Sequence, residues 1–184
     1  SVVYTPLGDG PFPVLVFIHG GGWVIKRPLN YHTVCQDLAA GAGCIVVSIA
    51  YRLAPEYKAP AAADDSIAAV GWVLDHADEI GGDASRVAVG GDSAGGNLSA
   101  VSAQHFGNRL AGQLLIYPLV DMTGSFPSIE ENADGLFLTK QHIAWFRGHY
   151  VGGAGLDERD PVLSPLYAPD EVLAATAPAF VLTA

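Results

Sequence analysis

The 184-residue sequence has few charged side chains, few cysteines and no long apolar run. Charged residues make up 15% of it and apolar residues 50%, which excludes a disordered polar chain. Its 9 Lys and Arg against 19 Asp and Glu give a formal net charge of −10, which opposes binding to nucleic acid or to an anionic membrane surface. No apolar run approaches the roughly 18 to 20 residues of a membrane span. The strand-like start, SVVYTP, leads us to expect no secretory signal.

The two cysteines, Cys35 and Cys44, are too few for a disulfide framework or a zinc site. Cys35 falls in a predicted helix and Cys44 at the start of a predicted strand, so we expect two buried free thiols. These features together fit a reducing compartment, and they predict a cytoplasmic protein without a metal site.

Short apolar runs alternate with helical patterns along the chain. Continuous apolar runs predict five strands, at 13–19, 44–51, 86–91, 112–120 and 178–184. Helical spacing between these runs predicts helices over 30–41, 61–77 and 95–106. Strands that alternate with helices are typical of βαβ units. The sequence therefore predicts the α/β class, with a mostly parallel sheet and helices on both of its faces.

The segment from Met122 to Leu166 breaks this alternation. It is rich in Gly, Pro, Asp and Glu, and it predicts one helix around Thr139–Val151. Helical spacing places two sets of side chains on different faces, Ile143, Phe146 and Tyr150 on one and His142, Trp145 and His149 on the other. We interpret 122–166 as a cap or lid inserted within a single, incomplete domain that spans 1–184.

The stretch GGDSAGGN, residues 90–97, holds one serine among small residues, directly after a predicted strand and before a predicted helix. Gly91 to Gly95 fit the pattern G-x-S-x-G, the nucleophile elbow in which a strained strand-to-helix turn projects the serine hydroxyl. Larger side chains two residues before or after Ser93 would collide with the turn or the helix. The helix N-terminus behind Ser93 offers free N–H groups to an anion. This motif alone fits a phosphate-binding or purely structural turn equally well.

A second glycine-rich stretch, HGGGW at 19–23, ends the first clear strand. Three consecutive glycines are entropically costly, so a structural turn rarely uses them. They let backbone N–H groups converge on one point, as acyl transfer requires for the oxygen of its tetrahedral intermediate. The natural donors are the N–H groups of Gly21, Gly22 and Ala94. A phosphate loop is disfavoured because the lysine and Ser/Thr pair of a P-loop are missing.

With both motifs in place, the chain resembles the bacterial hormone-sensitive-lipase family of carboxylesterases, which have the α/β-hydrolase fold. The matching stretches are HGGGW (19–23), YRLAPE (51–56), GDSAGGN (91–97) and, more weakly, DPVLSP (160–165). Their order and spacing agree over nearly the whole chain. The resemblance implies hydrolysis of short- to medium-chain carboxylic esters, with a small-molecule ester as the partner and without a metal ion or organic cofactor.

When the family's residue roles are transferred position by position, the resemblance implies that Ser93 is the nucleophile that forms an acyl-enzyme. Gly21, Gly22 and Ala94 then supply the oxyanion hole.

Further family positions imply supporting roles. His19 and Gly20 belong to the oxyanion loop, residues 19–22, and His19 is expected to brace it by hydrogen bonds. Asp92 and the 51–56 segment are expected to be architectural, with pocket lining open for Asp92. Trp23 is a candidate for lining the acyl pocket, with core packing equally open.

A serine nucleophile needs a histidine base and an orienting acid, which follow it in this fold in the order acid, then histidine. The resemblance puts both beyond Ala184, so we expect a fragment that lacks both ends of its parent. His105 lies about 18 Å along its helix from Ser93 at 1.5 Å per residue, too far to share a proton. His142 and His149 fall in the inserted segment, where pocket lining or solvent exposure is favoured. These residues therefore yield no complete triad.

Other functions are compatible with the same motifs. A hydrolase fold that has lost a triad member binds small ligands without catalysis, so a binding or receptor module is the main alternative. An interfacial lipase is disfavoured by the acidic balance and the lack of a basic amphipathic helix. Neither nucleic acid nor a membrane is an expected partner, and a homodimer of the full-length parent is left open.

Overall fold

The computed structural model describes residues 1–134 and 137–183. Within them six strands form one sheet in the order β1-β3-β2-β4-β5-β6. Every neighbouring pair is parallel except β1 and β3, which are antiparallel. The strands are β1 (Val2–Tyr4), β2 (Phe12–Ile18), β3 (Ile45–Ile49), β4 (Gly82–Asp92), β5 (Gly112–Ile116) and β6 (Ala179–Leu182).

Helices cover both faces of this sheet, as the alternating pattern predicted. The α-helices are α1 (His32–Ala42), α2 (Ala61–His76), α3 (Ala94–Phe106), α4 (Ser128–Glu131), α5 (Lys140–Tyr150) and α6 (Asp170–Ala175). Alternate residues of β2 point to opposite faces, because successive side chains of a strand do so. Val14 and Val16 therefore join the larger core with α2 and α3, whereas Leu15 and Phe17 join a smaller core with α1. The α/β class and the mostly parallel sheet are confirmed.

Several predicted elements are shorter than their sequence patterns, among them the strand predicted at 44–51, which spans Ile45–Ile49. The run 112–120 forms a strand only to Ile116, because Tyr117 has a φ of 35° and Pro118 has no N–H to donate to a neighbouring strand. The helix predicted from residue 30 begins at His32, after a short 3₁₀ turn over Pro28–Tyr31.

Both cysteines are buried and free, as predicted. Burial raises the pKa of the Cys35 and Cys44 thiols, so both are protonated near neutral pH. Among the described residues, no helix combines the length and apolar character needed to cross a bilayer.

Candidate active site

Ser93 lies at the carboxyl edge of the sheet, between the end of β4 and the start of α3. Its φ is 54°, a left-handed value that a residue with a side chain adopts only when surrounding contacts stabilise it. The Ser93 N–H donates to the Ile116 carbonyl of β5 at 2.9 Å, and the Asn97 N–H donates to the Ser93 carbonyl at 3.0 Å. Main-chain bonds thus fix the turn from both sides.

Two glycines let the elbow, residues 91–95, pack directly against β2. A Cβ on either Gly91 or Gly95 would overlap the carbonyl oxygen of Ile18, the last residue of β2. Ile18 is also the register partner of Gly91 in the parallel β2–β4 pair. This close backbone approach is the physical reason for glycine at both positions.

The oxyanion loop leaves β2 beside the elbow. Gly21 and Gly22 have φ values of 119° and 58°, which glycine adopts without steric cost. The Val24 and Ile25 N–H groups close a turn on the Gly21 carbonyl, at 3.1 Å and 3.0 Å. Among the described residues, the N–H groups of Gly21, Gly22 and Ala94 donate to no protein acceptor. The three are therefore free to bind an anionic oxygen.

His19 is a buried brace at the start of this loop. Its Nδ1 lies 2.8 Å from the Gly20 carbonyl, so a proton on Nδ1 is donated to that oxygen. The Tyr51 hydroxyl donates to the His19 carbonyl at 2.8 Å, and the two rings stack at 4.4 Å between centroids. Burial lowers the pKa of His19 and outweighs the Gly20 bond and the Asp92 charge, which raise it. The imidazole is thus neutral at pH 7.

The Asp92 carboxylate joins the elbow to the oxyanion loop. Oδ1 accepts from the Gly20 N–H at 2.9 Å, and Oδ2 accepts from the Tyr31 hydroxyl at 2.7 Å. A Cβ on Gly20 would overlap Asp92, so this approach requires glycine. With both oxygens engaged and the residue 8% exposed, the contacts favour the architectural role of Asp92 over pocket lining.

Helix α5 packs on the oxyanion loop through two successive turns. The Phe146 ring occupies the space that a Cβ on Gly22 would need. One turn later Tyr150 stacks on Trp23 with 4.5 Å between ring centroids and an interplanar angle of 4°. Trp23 is 3% exposed, so its contacts favour core packing over the pocket-lining role that the sequence left open. Phe146 and Tyr150 were predicted to share a face, but their contact with this loop was not foreseen.

The ends of the inserted segment are part of the core. Met122 and Leu163 are buried in the larger core cluster. The buried Asn97 side chain donates to the Leu119 carbonyl at 2.8 Å and to the Leu163 carbonyl at 2.9 Å. Asn97, the last residue of the GDSAGGN stretch, thereby ties the chain just before the segment, and the last part of the segment, to the first turn of α3.

The histidines that follow Ser93 are engaged elsewhere. His105 lines a cleft of about 280 Å³ between α2, α3 and residues 161–172. His142 bonds the Thr139 N–H at the start of α5, and His149 packs on Trp145 at 4.3 Å between ring centroids. Across residues 1–134 and 137–183, no cluster of three or more His, Cys, Asp or Glu side chains is arranged to hold a metal ion.

Comparison with known proteins agrees with this geometry. A model of the alpha/beta hydrolase fold family matches residues 15–184. The chain is 44% identical over 190 residues to the carboxylic ester hydrolase LipN of Mycobacterium tuberculosis, covering 98% of this chain and 50% of LipN. It is 36% identical over 194 residues to the ethyl acetate hydrolase of Pseudomonas putida, covering 99% of this chain and 59% of that protein.

Solved structures show the same likeness. The hyperthermophilic esterase of the archaeon Pyrobaculum calidifontis superposes with a TM-score of 0.91 at 40% identity, over 97% of this chain and 60% of that one. The chain thus spans between 50% and 60% of the length of these relatives. Because the family model matches nearly all of the sequence, the chain belongs to the alpha/beta hydrolase fold family.

Proposed function

We propose that this protein is a serine carboxylesterase that hydrolyses short- to medium-chain esters through an acyl-enzyme at Ser93. The proposal rests on one observation, the hydrogen bond that connects the elbow to the oxyanion loop. A strained elbow presents Ser93, and a neighbouring loop with free N–H groups is tied to that elbow by the 2.9 Å bond from Gly20 to Asp92. Relatives named carboxylic ester hydrolase and ethyl acetate hydrolase support the substrate class.

In the proposed reaction the Ser93 Oγ attacks the ester carbonyl carbon as its proton passes to a base. The carbonyl oxygen becomes the tetrahedral oxyanion and accepts hydrogen bonds from the N–H groups of Gly21, Gly22 and Ala94. Collapse of the intermediate expels the alcohol, which takes up the proton. Water then attacks the acyl-enzyme in the same way and releases the carboxylic acid. Each oxyanion donor is worth about 10²- to 10³-fold in rate.

The histidine base and its acid are proposed on residues that follow β6. Strand β6 is parallel to β5, with Leu182 paired to Ile116, and Ile116 is paired to Asp92 of β4. A segment that leaves β6 therefore emerges at the sheet edge that carries Ser93. This register supports an acid placed soon after β6, with the histidine further along the chain.

We also propose that 122–166 is the cap over this site, within a single domain. The packing of Phe146 on Gly22 and of Tyr150 on Trp23 supports a segment that covers the site, and the burial of Met122 and Leu163 in the core supports a fixed position for it. A cytoplasmic location, the absence of nucleic-acid and membrane partners, and the open homodimer stay predictions from the sequence and the resemblance.

Replacement of Ser93 in the full-length polypeptide tests the proposal. We expect Ser93→Ala to reduce hydrolysis of p-nitrophenyl butyrate by at least about 10⁴-fold, because no other group replaces the nucleophile. Ser99→Ala is the matched control, since Ser99 is buried in helix α3, which follows Ser93, and its hydroxyl donates to the Gly95 carbonyl. Activity of Ser93→Ala at the wild-type rate would overturn the assignment. A folded wild type without ester turnover would favour the binding module instead.

A further inference from the structure

The hydroxyl of Tyr31 bonds the elbow at Asp92 and both ends of the stretch 20–26, which begins in the oxyanion loop. It donates to Asp92 Oδ2 at 2.7 Å, and it accepts from the Gly20 N–H at 3.2 Å and from Lys26 Nζ at 3.0 Å. A phenolic hydroxyl offers one donor and two acceptor sites, so all of its hydrogen-bonding capacity is used. Tyr31 is 8% exposed and belongs to none of the motifs in the sequence.

The stretch 20–26, which contains Gly20, Gly21 and Gly22 of the oxyanion loop, has several left-handed backbone positions. Besides Gly21 and Gly22, two residues with side chains have left-handed backbone angles, with φ values of 60° at Trp23 and 76° at Lys26. Each such residue costs roughly 1–2 kcal/mol, so surrounding contacts must stabilise the conformation. Tyr31 supplies such contacts at both ends of the strained stretch, through Gly20 and through Lys26.

We infer that Tyr31 is a positioning residue for the oxyanion hole, which it acts on through Gly20 and Asp92 without touching the substrate. The inference rests on the proposed function. The donors of Gly21 and Gly22 directly follow Gly20, so a shift of Gly20 relative to the elbow changes their distance from the oxygen bound at Ser93. Burial and the neighbouring Asp92 charge raise the pKa of Tyr31 well above its ordinary value, so the hydroxyl retains the proton that it donates.

The Tyr31→Phe substitution isolates the hydroxyl from the ring. The phenyl ring retains its packing on Phe17 and His19, at 5.7 Å and 6.0 Å between centroids. Asp92 Oδ2 loses its donor, and Lys26 loses its acceptor. Among the residues that the structure describes, the bond from the Gly20 N–H to Asp92 Oδ1 is then the one that still holds Gly20 to the elbow.

The experiment measures p-nitrophenyl butyrate hydrolysis by the full-length protein, with active sites counted by fluorophosphonate titration. We expect Tyr31→Phe to lower kcat per titrated site by about 10- to 100-fold with KM changed less than threefold, because misplaced donors weaken binding of the transition state. Affinity for an aryl trifluoromethyl ketone, whose addition product carries an oxyanion, should fall by a factor similar to the loss in kcat/KM. A purely structural role would lower the number of titrated sites and the Tm but leave kcat per site unchanged.

Tyr4→Phe is the matched control. Tyr4 is also 8% exposed and lies in the same core cluster, but its hydroxyl bonds His32 Nδ1 at 3.1 Å, away from the oxyanion loop. Its kcat per site should stay within twofold of the wild type. If Tyr31→Phe does not fold, Lys26→Met replaces it, since Lys26 is exposed and the substitution removes the charged contact with Tyr31 at the far end of the strained stretch. We expect a two- to fivefold loss of kcat from Lys26→Met.

The outcomes separate this inference from the proposed function. Wild-type protein that neither hydrolyses the ester nor reacts with the fluorophosphonate contradicts the proposed function, and the inference falls with it. An active wild type whose Tyr31→Phe variant retains kcat and ketone affinity within twofold overturns the positioning role alone. Where Lys26→Met carries the test, unchanged kcat and ketone affinity overturn it in the same way.

Discussion

The elbow and the oxyanion loop both rely on glycine, but they are stabilised in different ways. The elbow is fixed by main-chain groups of its immediate neighbours, through the Ser93 bond to Ile116 and the contact of Gly91 and Gly95 with Ile18. The oxyanion loop is fixed by side chains that other parts of the chain supply, among them Tyr31 and Tyr51.

This difference separates two kinds of mutational effect. A side chain added in the elbow would overlap backbone atoms that cannot move aside, so it should mainly lower the free energy of unfolding. A substitution around the oxyanion loop meets side chains that other parts of the chain supply, so part of its cost should be seen in the rate of acyl transfer and part in stability. The predictions below test this division.

Gly95→Ala should have the largest effect on stability. The added Cβ would overlap the Ile18 carbonyl and the His19 backbone, and neither is a flexible side chain. We expect the free energy of unfolding to fall by about 3 kcal/mol or more, measured by denaturant titration. Gly41→Ala in α1 is the control, because a Cβ there meets nothing within 4 Å. That variant should gain up to about 1 kcal/mol, and equal losses in the two variants would contradict a rigid elbow.

Gly22→Ala should affect rate more than stability. Its Cβ would overlap the Phe146 ring, and the φ of 58° adds roughly 1–2 kcal/mol of strain. We expect about a 100-fold loss of kcat because the displaced loop misplaces its N–H donors. The double variant Gly22→Ala/Phe146→Ala should recover at least about fivefold, since removal of the ring makes room for the Cβ. Simple multiplication of the two single losses would show that the ring contact is not the cause.

Tyr51→Phe should have an intermediate effect. It removes the donor to the buried His19 carbonyl but preserves the stacked ring. A buried acceptor left without a partner costs about 1–3 kcal/mol, so we expect a loss in this range by thermal or denaturant unfolding. The control is Tyr57→Phe, because Tyr57 is 51% exposed. A loss of less than 0.5 kcal/mol, roughly the size of a surface change, would show that the Tyr51 hydroxyl does not hold the loop.

The smallest effect is expected at the ion pair between Arg52 and Asp65, outside both glycine-rich stretches. Hydrogen bonds from Arg52 lower the pKa of Asp65, with burial opposing them. The folded pKa lies below the unfolded one, so the pair stabilises the protein above the unfolded pKa, and this contribution is lost as the pH falls through the folded pKa. Asp65→Asn should lower the free energy of unfolding by about 0.2–1 kcal/mol at pH 7. Below both the folded and the unfolded pKa of Asp65 the substitution should have no effect. A difference that persists unchanged in acid would exclude this origin.

The features that could be predicted from the sequence are those fixed by residues close to them in the chain. Continuous apolar runs predicted five strands, and β2, β3, β4, β5 and β6 lie on them. The G-x-S-x-G spacing predicted the strand, turn and helix around Ser93, because the steric demand for glycine acts within a few residues. Pro118 was the one sequence signal for the early end of β5, because no local pattern indicated the left-handed backbone angle of Tyr117.

The features that could not be predicted from the sequence depend on partners far away in the chain. Tyr31 meets Asp92 across 61 positions of the chain, and nothing in its own neighbourhood marks it out. Phe146 was placed on the apolar face of its helix, but periodicity does not say which loop that face meets. Short strand β1 was suggested only by the strand-like start SVVYTP, and its antiparallel pairing to β3 had no signal in the sequence.

The most direct test of the central claim is the intact mass of the full-length protein before and after reaction with a fluorophosphonate, with Ser93→Ala measured in parallel. We expect one adduct per wild-type chain, located on Ser93 by peptide mapping, and no adduct on the variant. An adduct at another residue, equal labelling of the variant, or an unlabelled but folded wild type would contradict it.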